Sequence, residues 1–318
     1  MSNLDYIDTE PSHDLDFDQR LSLVEEFSGL AQALESFPLG RNSSFRGEND
    51  AYNIIGPFSE TLQSTLFYGR SEKEVNVIIK KYEQDSNTYS FERERFIQNR
   101  LGRHNHILPA IEFIEDAGHK VSIHPYVPGR NLEEVIENEG PLSVRRVVSL
   151  FKQLCPAVAY TNQHGIVHRD IKPANILVAR ADSGEVVSFL LDFGISWLSE
   201  LAHLGDAMAI LSHATPEYMA PEKWSLLTPE PREDVYALAA TAYHLASGQT
   251  PHQLDPNNLS ADLYRIHSQR IPPRQLKIIK PDVPQKFNDA VMRGLAYDLK
   301  ERFQTPEELG EALTKSIR

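Results

Sequence analysis

The chain has 318 residues, 41% of them hydrophobic and 24% charged, which excludes wholesale disorder and suggests one large domain or two lobes. A formal net charge of −13 argues against binding a nucleic-acid backbone, and no stretch approaches the roughly 20 apolar residues of a membrane helix. The single cysteine, Cys155, excludes an intramolecular disulfide, and the opening MSNLDYIDTE lacks the basic region and apolar run of a secretory signal, so the expected compartment is the cytoplasm.

Residues 1–50 carry eleven acids against three arginines, an acidic head before a nearly balanced body. Residues 1–20 contain few large apolar groups and are expected to be mobile. Residues 21–37 place Leu23, Phe27, Leu30 and Leu34 at helical spacing, either as a helix packed on the body or as an arm that docks a regulatory partner. Residues 38–50, with Pro38, Gly40 and Gly47, read as a linker. Strands are predicted at 52–55, 62–68, 75–81, 111–115 and 120–124, with a helix at 90–101. Helices follow at 131–138, 143–164, 234–247, 259–268, 285–296 and 306–316. Two short strands interrupt them at 175–179 and 187–191, joined by the turn Ala181-Asp182-Ser183-Gly184. The expected fold is therefore α+β, with a strand-rich lobe over 51–127, a helical lobe over 128–318, and a cleft between them.

The residues richest in chemistry are VHRDIKPANILV, 167–178. Asp170 can accept the proton of an attacking hydroxyl, and Asn175, five residues on, can hold a metal ion and bond back to the loop. Lys172 would neutralise charge building on a transferred phosphoryl group. Asp192, in Leu191-Asp192-Phe193-Gly194, follows an apolar strand and precedes a glycine, a place suited to chelating Mg²⁺ between phosphates.

With these stretches in hand, the chain resembles the eukaryotic-type Ser/Thr protein kinases in their bacterial form. HRDIKPAN, DFG, ATPEYMAPE at 214–222 and DVYALA at 234–239 stand in family order over roughly residues 50–316. The resemblance implies the bilobal kinase fold and transfer of the γ-phosphoryl of ATP, with Mg²⁺ or alternatively Mn²⁺, to Ser/Thr hydroxyls of signalling proteins. Lys80, in Val77-Ile78-Ile79-Lys80, would bind the α- and β-phosphates, paired with Glu94 or, second, Glu92. Glu222 would pair structurally with Arg302, and Asp234 would hold the catalytic loop. Lys172 and Thr215 are the Ser/Thr-kinase choices at their positions. Ile78 and Leu177 would sandwich the adenine, the Pro125 carbonyl and Val127 N–H would bond its edge, and Asn131 would meet the ribose.

Several positions depart from the family. Of the glycine-rich loop only Gly56 remains, in Ile55-Gly56-Pro57-Phe58-Ser59-Glu60-Thr61-Leu62, which weakens phosphate clamping. Ile78 replaces an alanine, and His124 takes the gatekeeper place, read as a neutral packed imidazole. Gln98 replaces an apolar residue and needs a partner or water, implying a loosened active state or a shifted register. Ala207, Ala209 and Leu211 stand where an activating phosphate is common, leaving Arg169 to face Ser212, the candidate for phosphorylation, or another acid. His104 and His106 read as a structural turn and Cys155 as a buried hydrophobe. The departures also admit a kinase-like regulatory or scaffolding module. A small-molecule phosphotransferase fits less well, because ATPEYMAPE and the Glu222–Arg302 pair build a peptide-binding platform.

Overall fold

Alternation along NVIIKKY buries Val77 and Ile79 on one face and turns Ile78, Lys80 and Tyr82 to the other, and the strands around it form by the same pattern. The computed structural model describes residues 44–60, 64–82, 88–198, 215–224, 229–255 and 257–318. Strands β1 (Ser44–Arg46), β2 (Ala51–Glu60), β3 (Ser64–Ser71), β4 (Asn76–Tyr82), β5 (Glu112–Asp116) and β6 (His119–Pro125) make one antiparallel sheet in the order β1-β2-β3-β4-β6-β5. Helix α1 (Thr88–Leu101) packs on it through Phe91, whose ring meets Tyr82 at 5.3 Å and Phe113 at 5.6 Å.

The predicted linker gives way to structure at its end. Residues 44–46 form β1 because Phe45 pairs opposite Tyr52 and is buried in the small lobe's core. The loop after β1 holds the Glu112 carboxylate of β5: Glu48 N–H and Asn49 N–H donate to Oε1 at 2.6 and 3.1 Å, and Tyr52 OH to Oε2 at 2.8 Å. A Cβ on Gly47 would lie 2.3 Å from that carboxylate, so any larger residue would have to displace the Glu112 side chain from these bonds. Strand β2 outruns its predicted end through Gly56 and Pro57, because register shifts at Ile54/Gly56 and Pro57/Ser59 accommodate the proline. The helix and mobile head expected within residues 1–37 lie outside the described residues.

The larger lobe begins with β7 (Gly129–Asn131), which was not predicted and pairs with β8 (Ile176–Arg180), itself paired with β9 (Val186–Leu190). Its helices are α2 (Leu132–Glu139), α3 (Val144–Gln163), α4 (Arg232–Ser247), α5 (Leu259–Ser268), the unpredicted single turn α6 (Leu276–Ile279), α7 (Gln285–Gly294) and α8 (Pro306–Lys315). Helix α4 is buried nearly all round and forms the centre of the main core with Phe151, Leu154, Phe287 and Leu309. The lobes are joined behind the cleft by backbone bonds: Leu190 N–H to His106 C=O at 2.8 Å and Leu108 N–H to Leu190 C=O at 3.1 Å. No helix among the described residues is long and apolar enough to cross a membrane.

Candidate active site

Two groups of side chains meet at the cleft. The first is centred on Lys80 of β4, whose Nζ donates to Glu94 Oε2 of α1 and to Asp192 Oδ1 after β9, each at 2.9 Å. Burial works to lower the Lys80 ammonium, and Asp192 and Glu94 overcome it, leaving it well above its ordinary value. Burial would likewise raise the Asp192 carboxyl, but Lys80 and the Gly194 N–H hold it well below the usual carboxylate range. Asp192 sits at φ 60°, a left-handed conformation that Asp tolerates better than most residues. Gly194 follows so closely that its N–H reaches Asp192 Oδ1 at 3.1 Å. Glu92, the second candidate for Lys80, faces Lys120 and Arg95 instead.

The sequence reading missed what lies behind Glu94. Tyr82 OH donates to Glu94 Oε2 at 2.6 Å and touches Ser122 Oγ at 3.1 Å, and Ser122 Oγ meets His124 Nε2 at 2.9 Å. The signal was available: Tyr82 shares a strand face with Lys80, and Ser122 shares one with His124 on β6, directly opposite. His124 donates from Nδ1 to the Pro109 carbonyl at 3.3 Å, so Nε2 carries a lone pair and its 3.8 Å approach to Glu94 is not an ion pair. Burial pushes the His124 imidazole down, which keeps it neutral as expected. Gln98 finds its partners in the backbone, donating to the Leu108 carbonyl and accepting from Ala110 N–H, both at 3.3 Å. The partner that a polar group at this position needs is thus supplied by the backbone at both ends of the amide.

The second group is the loop before β8. Asp170 Oδ2 accepts from Asn175 Nδ2 at 2.7 Å and lies 2.9 Å from Lys172 Nζ. Thr215 Oγ1 accepts from Lys172 Nζ at 2.6 Å and donates to Asp170 Oδ1 at 3.3 Å, which ties the Ser/Thr-type residue directly to the acidic one. The loop is pinned from below by Asp234, whose carboxylate accepts the His168 and Arg169 N–H groups at 2.9 Å each. His168 stacks on Phe193 at 4.8 Å and bonds the Leu191 carbonyl at 3.1 Å, which couples this loop to Asp192. Glu222 and Arg302 form a buried bidentate pair at 2.6 and 3.1 Å.

Of the residues assigned to adenine, Ile78 lies opposite His124 in the β4–β6 ladder, and Leu177 packs against the cluster of Val127, Ala179, Ala181 and Phe189. Pro125 ends β6 and has no N–H to lose, while the Val127 N–H has no intramolecular partner among the described residues. A Cβ on Gly56 would meet nothing within 4 Å, so the protein's own packing does not demand glycine there. Asn131, expected at the ribose, is instead the N-cap of α2: its Oδ1 accepts Glu134 N–H at 2.8 Å and its Nδ2 donates to Glu134 Oε1 at 2.9 Å. Ser212 lies outside the described residues. His104 accepts the His106 N–H at Nδ1, and no cluster of three or more His, Cys, Asp or Glu side chains suited to a metal occurs among the described residues.

A family model described as protein kinase domain matches residues 64–312. The serine/threonine-protein kinase PknH of Mycobacterium bovis is 31% identical over 228 residues, 71% of this chain and 36% of that protein. PknB of Mycolicibacterium smegmatis is 28% identical over 211 residues, covering 63% and 32%. PknE of Mycobacterium tuberculosis is 30% identical over 210 residues, covering 65% and 35%. The chain thus spans about a third of the length of the curated relatives it matches.

Proposed function

The chain belongs to the protein kinase domain family, and from that premise we propose that it is a serine/threonine protein kinase acting on protein substrates. The observation that carries this reading is Lys80, held at 2.9 Å from both Glu94 and Asp192, because it brings strand β4, helix α1 and the segment after β9 to one point. Bound Mg·ATP supplies the transferable phosphoryl group and the cation that offsets its charge. Lys80 binds and orients the α- and β-phosphates, with Glu94 keeping the ammonium in place. Asp170 takes the proton of the acceptor hydroxyl, and Lys172 stabilises negative charge on the transferred group.

The metal ligands fit hard cations. Asn175 donates its amide N–H to Asp170, and neither its Oδ1 nor Asp192 Oδ2 enters a hydrogen bond among the described residues. Two such oxygens with substrate phosphates suit Mg²⁺, and Mn²⁺ accepts the same donors. Ile78 and Leu177 bracket the adenine, the Pro125 carbonyl and Val127 N–H recognise its edge, and Gly56 lets the backbone near the phosphates. The module takes residues 51–318, with its lobes dividing at 127/128. The acidic residues 1–20 and the segment from there to β1 engage a regulatory partner, while Ser44–Arg46 belong to the small lobe's sheet, and the protein works in the cytoplasm.

The test is incorporation of labelled γ-phosphate from Mg·ATP into a basic protein acceptor, with Asp192→Asn as control. Incorporation that disappears in the control is the expected result. Binding of ATP with no transfer by the wild type would sink the reading.

A further inference from the structure

Arg169 immediately precedes Asp170, and its side chain turns into the protein instead of to solvent. Its backbone is held at φ 69° from both sides. Asp234 accepts its N–H at 2.9 Å, and the buried Lys223 donates Nζ to its carbonyl at 3.0 Å. The Arg169 side chain is 9% exposed, and its Nε lies 3.7 Å from Glu233 Oε2, in a side chain only 3% exposed. The other Glu233 oxygen accepts the Glu230 N–H at 3.1 Å. Neither Arg169 Nε nor Glu233 Oε2 has a hydrogen-bond partner among the described residues, and the attraction between them offsets only part of the cost of burial, which still pushes Glu233 up and Arg169 down.

A guanidinium next to a catalytic base can be set by a phosphate added to a nearby loop, which supplies the opposing charge. Here a carboxylate fixed in the first turn of α4 already supplies one. The sequence between Gly194 and Pro221 offers few hydroxyls to modify: from Glu200 to Leu211 there is none, and Ser199 and Ser212, which flank that stretch, lie outside the described residues. Ser196 is 1% exposed and donates to the His168 carbonyl at 2.9 Å. Thr215 is engaged by Lys172 and Asp170.

We propose that Glu233 is the built-in counter-ion of Arg169, a positioning residue that keeps the catalytic loop in working order with no phosphate on the segment from Gly194 to Pro221. The proposal rests on the kinase reading above. Glu233 acts through Arg169, and Arg169 through the backbone it shares with Asp170. Lys223 completes the arrangement by fixing the carbonyl between them. The carboxylate belongs to a helix whose remaining turns are core, so its position does not depend on a flexible loop.

The full chain is tested after phosphatase treatment, its unphosphorylated state checked by intact mass. Initial rates of phosphoryl transfer are then read with and without preincubation in Mg·ATP. The expected rates agree within about twofold, with no lag. Glu233→Gln, which keeps the shape and removes the charge, should lower kcat at least ~10-fold while KM for ATP moves less than ~3-fold. Arg169→Met/Glu233→Gln should be no slower than Arg169→Met alone, because the second change has nothing left to act through. That double variant removes both buried charges, so it carries the test if Glu233→Gln alone does not fold. A lag, a rise of ~10-fold or more on preincubation, or wild-type kcat in folded Glu233→Gln overturns the proposal. No transfer before or after preincubation, with ATP bound, overturns the kinase reading and this inference with it.

Discussion

Asp170 is restrained by three neighbours: Asn175 and Lys172 on one oxygen and Thr215 on the other. Each contact leaves the carboxylate an acceptor, as a proton-accepting role needs. Asp170→Asn keeps the shape but turns one oxygen into an amide donor facing Lys172 or Asn175. It should lower kcat by about 10²–10⁴-fold with little change in KM for ATP, read from initial rates. A loss confined to KM would assign Asp170 to binding. Asp170, Lys172 and Asn175 were legible because they lie within a few positions of one another in VHRDIKPANILV, and Thr215, 45 positions from Asp170, only through the family resemblance. Lys223 and Glu233 were not, because each works across elements far apart in the chain, through contacts that a one-dimensional pattern does not contain, whereas strand alternation did carry a signal for Tyr82 and Ser122. Asn131 has a role that the reading did not foresee: the amide expected at a ribose caps helix α2.

Among the elements, long periodic segments and the five-residue strands β5, β8 and β9 were readable, and the shortest elements were not. Helices α3, α4 and α8 lie within a residue or two of their predicted spans, since each repeats apolar residues over several turns. Strands β1 and β7 are three residues each, too short for any period, and exist because a neighbouring strand offers its edge. How the helices approach each other was also invisible. Helix α7 meets α4 at Gly294, where a Cβ would lie 2.5 Å from that of Ala239. Since Ala239 Cβ is fixed to the backbone of α4, the two helices must part to admit it. Gly294→Ala should therefore destabilise the protein by about 1–3 kcal/mol in urea unfolding, despite the better helix propensity of alanine. Unchanged or increased stability would show that this contact can relax.

At the scale of the whole molecule, burial has set many ionisable groups away from their ordinary values. Burial pushes His104, His106, His124 and His244 down, so their folded pKa values lie below the unfolded value of about 6.5. The unfolded chain then binds more protons as pH falls, and stability present above about pH 6.5 is lost as pH drops through the folded values. Glu133 and Glu233, raised by burial, act in the opposite direction, but four imidazoles face two carboxyls. Urea unfolding should give a lower free energy at pH 5 than at pH 7. Equal or greater stability at pH 5 would show that the buried carboxyls dominate. Below about pH 4 the loss should steepen, because Asp192 is held below its ordinary value and resists protonation only while folded.

Cys155 is the chain's single cysteine and is 1% exposed on α3, directly beneath α8. Gly310 brings α8 so close that a Cβ there would lie 2.9 Å from Cys155 Cβ. Burial pushes the thiol far up, so it is neither ionised nor reachable while the two helices remain together. The protein thereby carries a native reporter at the base of its helical lobe. The rate at which a thiol reagent labels the intact chain is a clock for the parting of α8 from α3, requires no engineered probe, and is blind to motions confined to the nucleotide cleft.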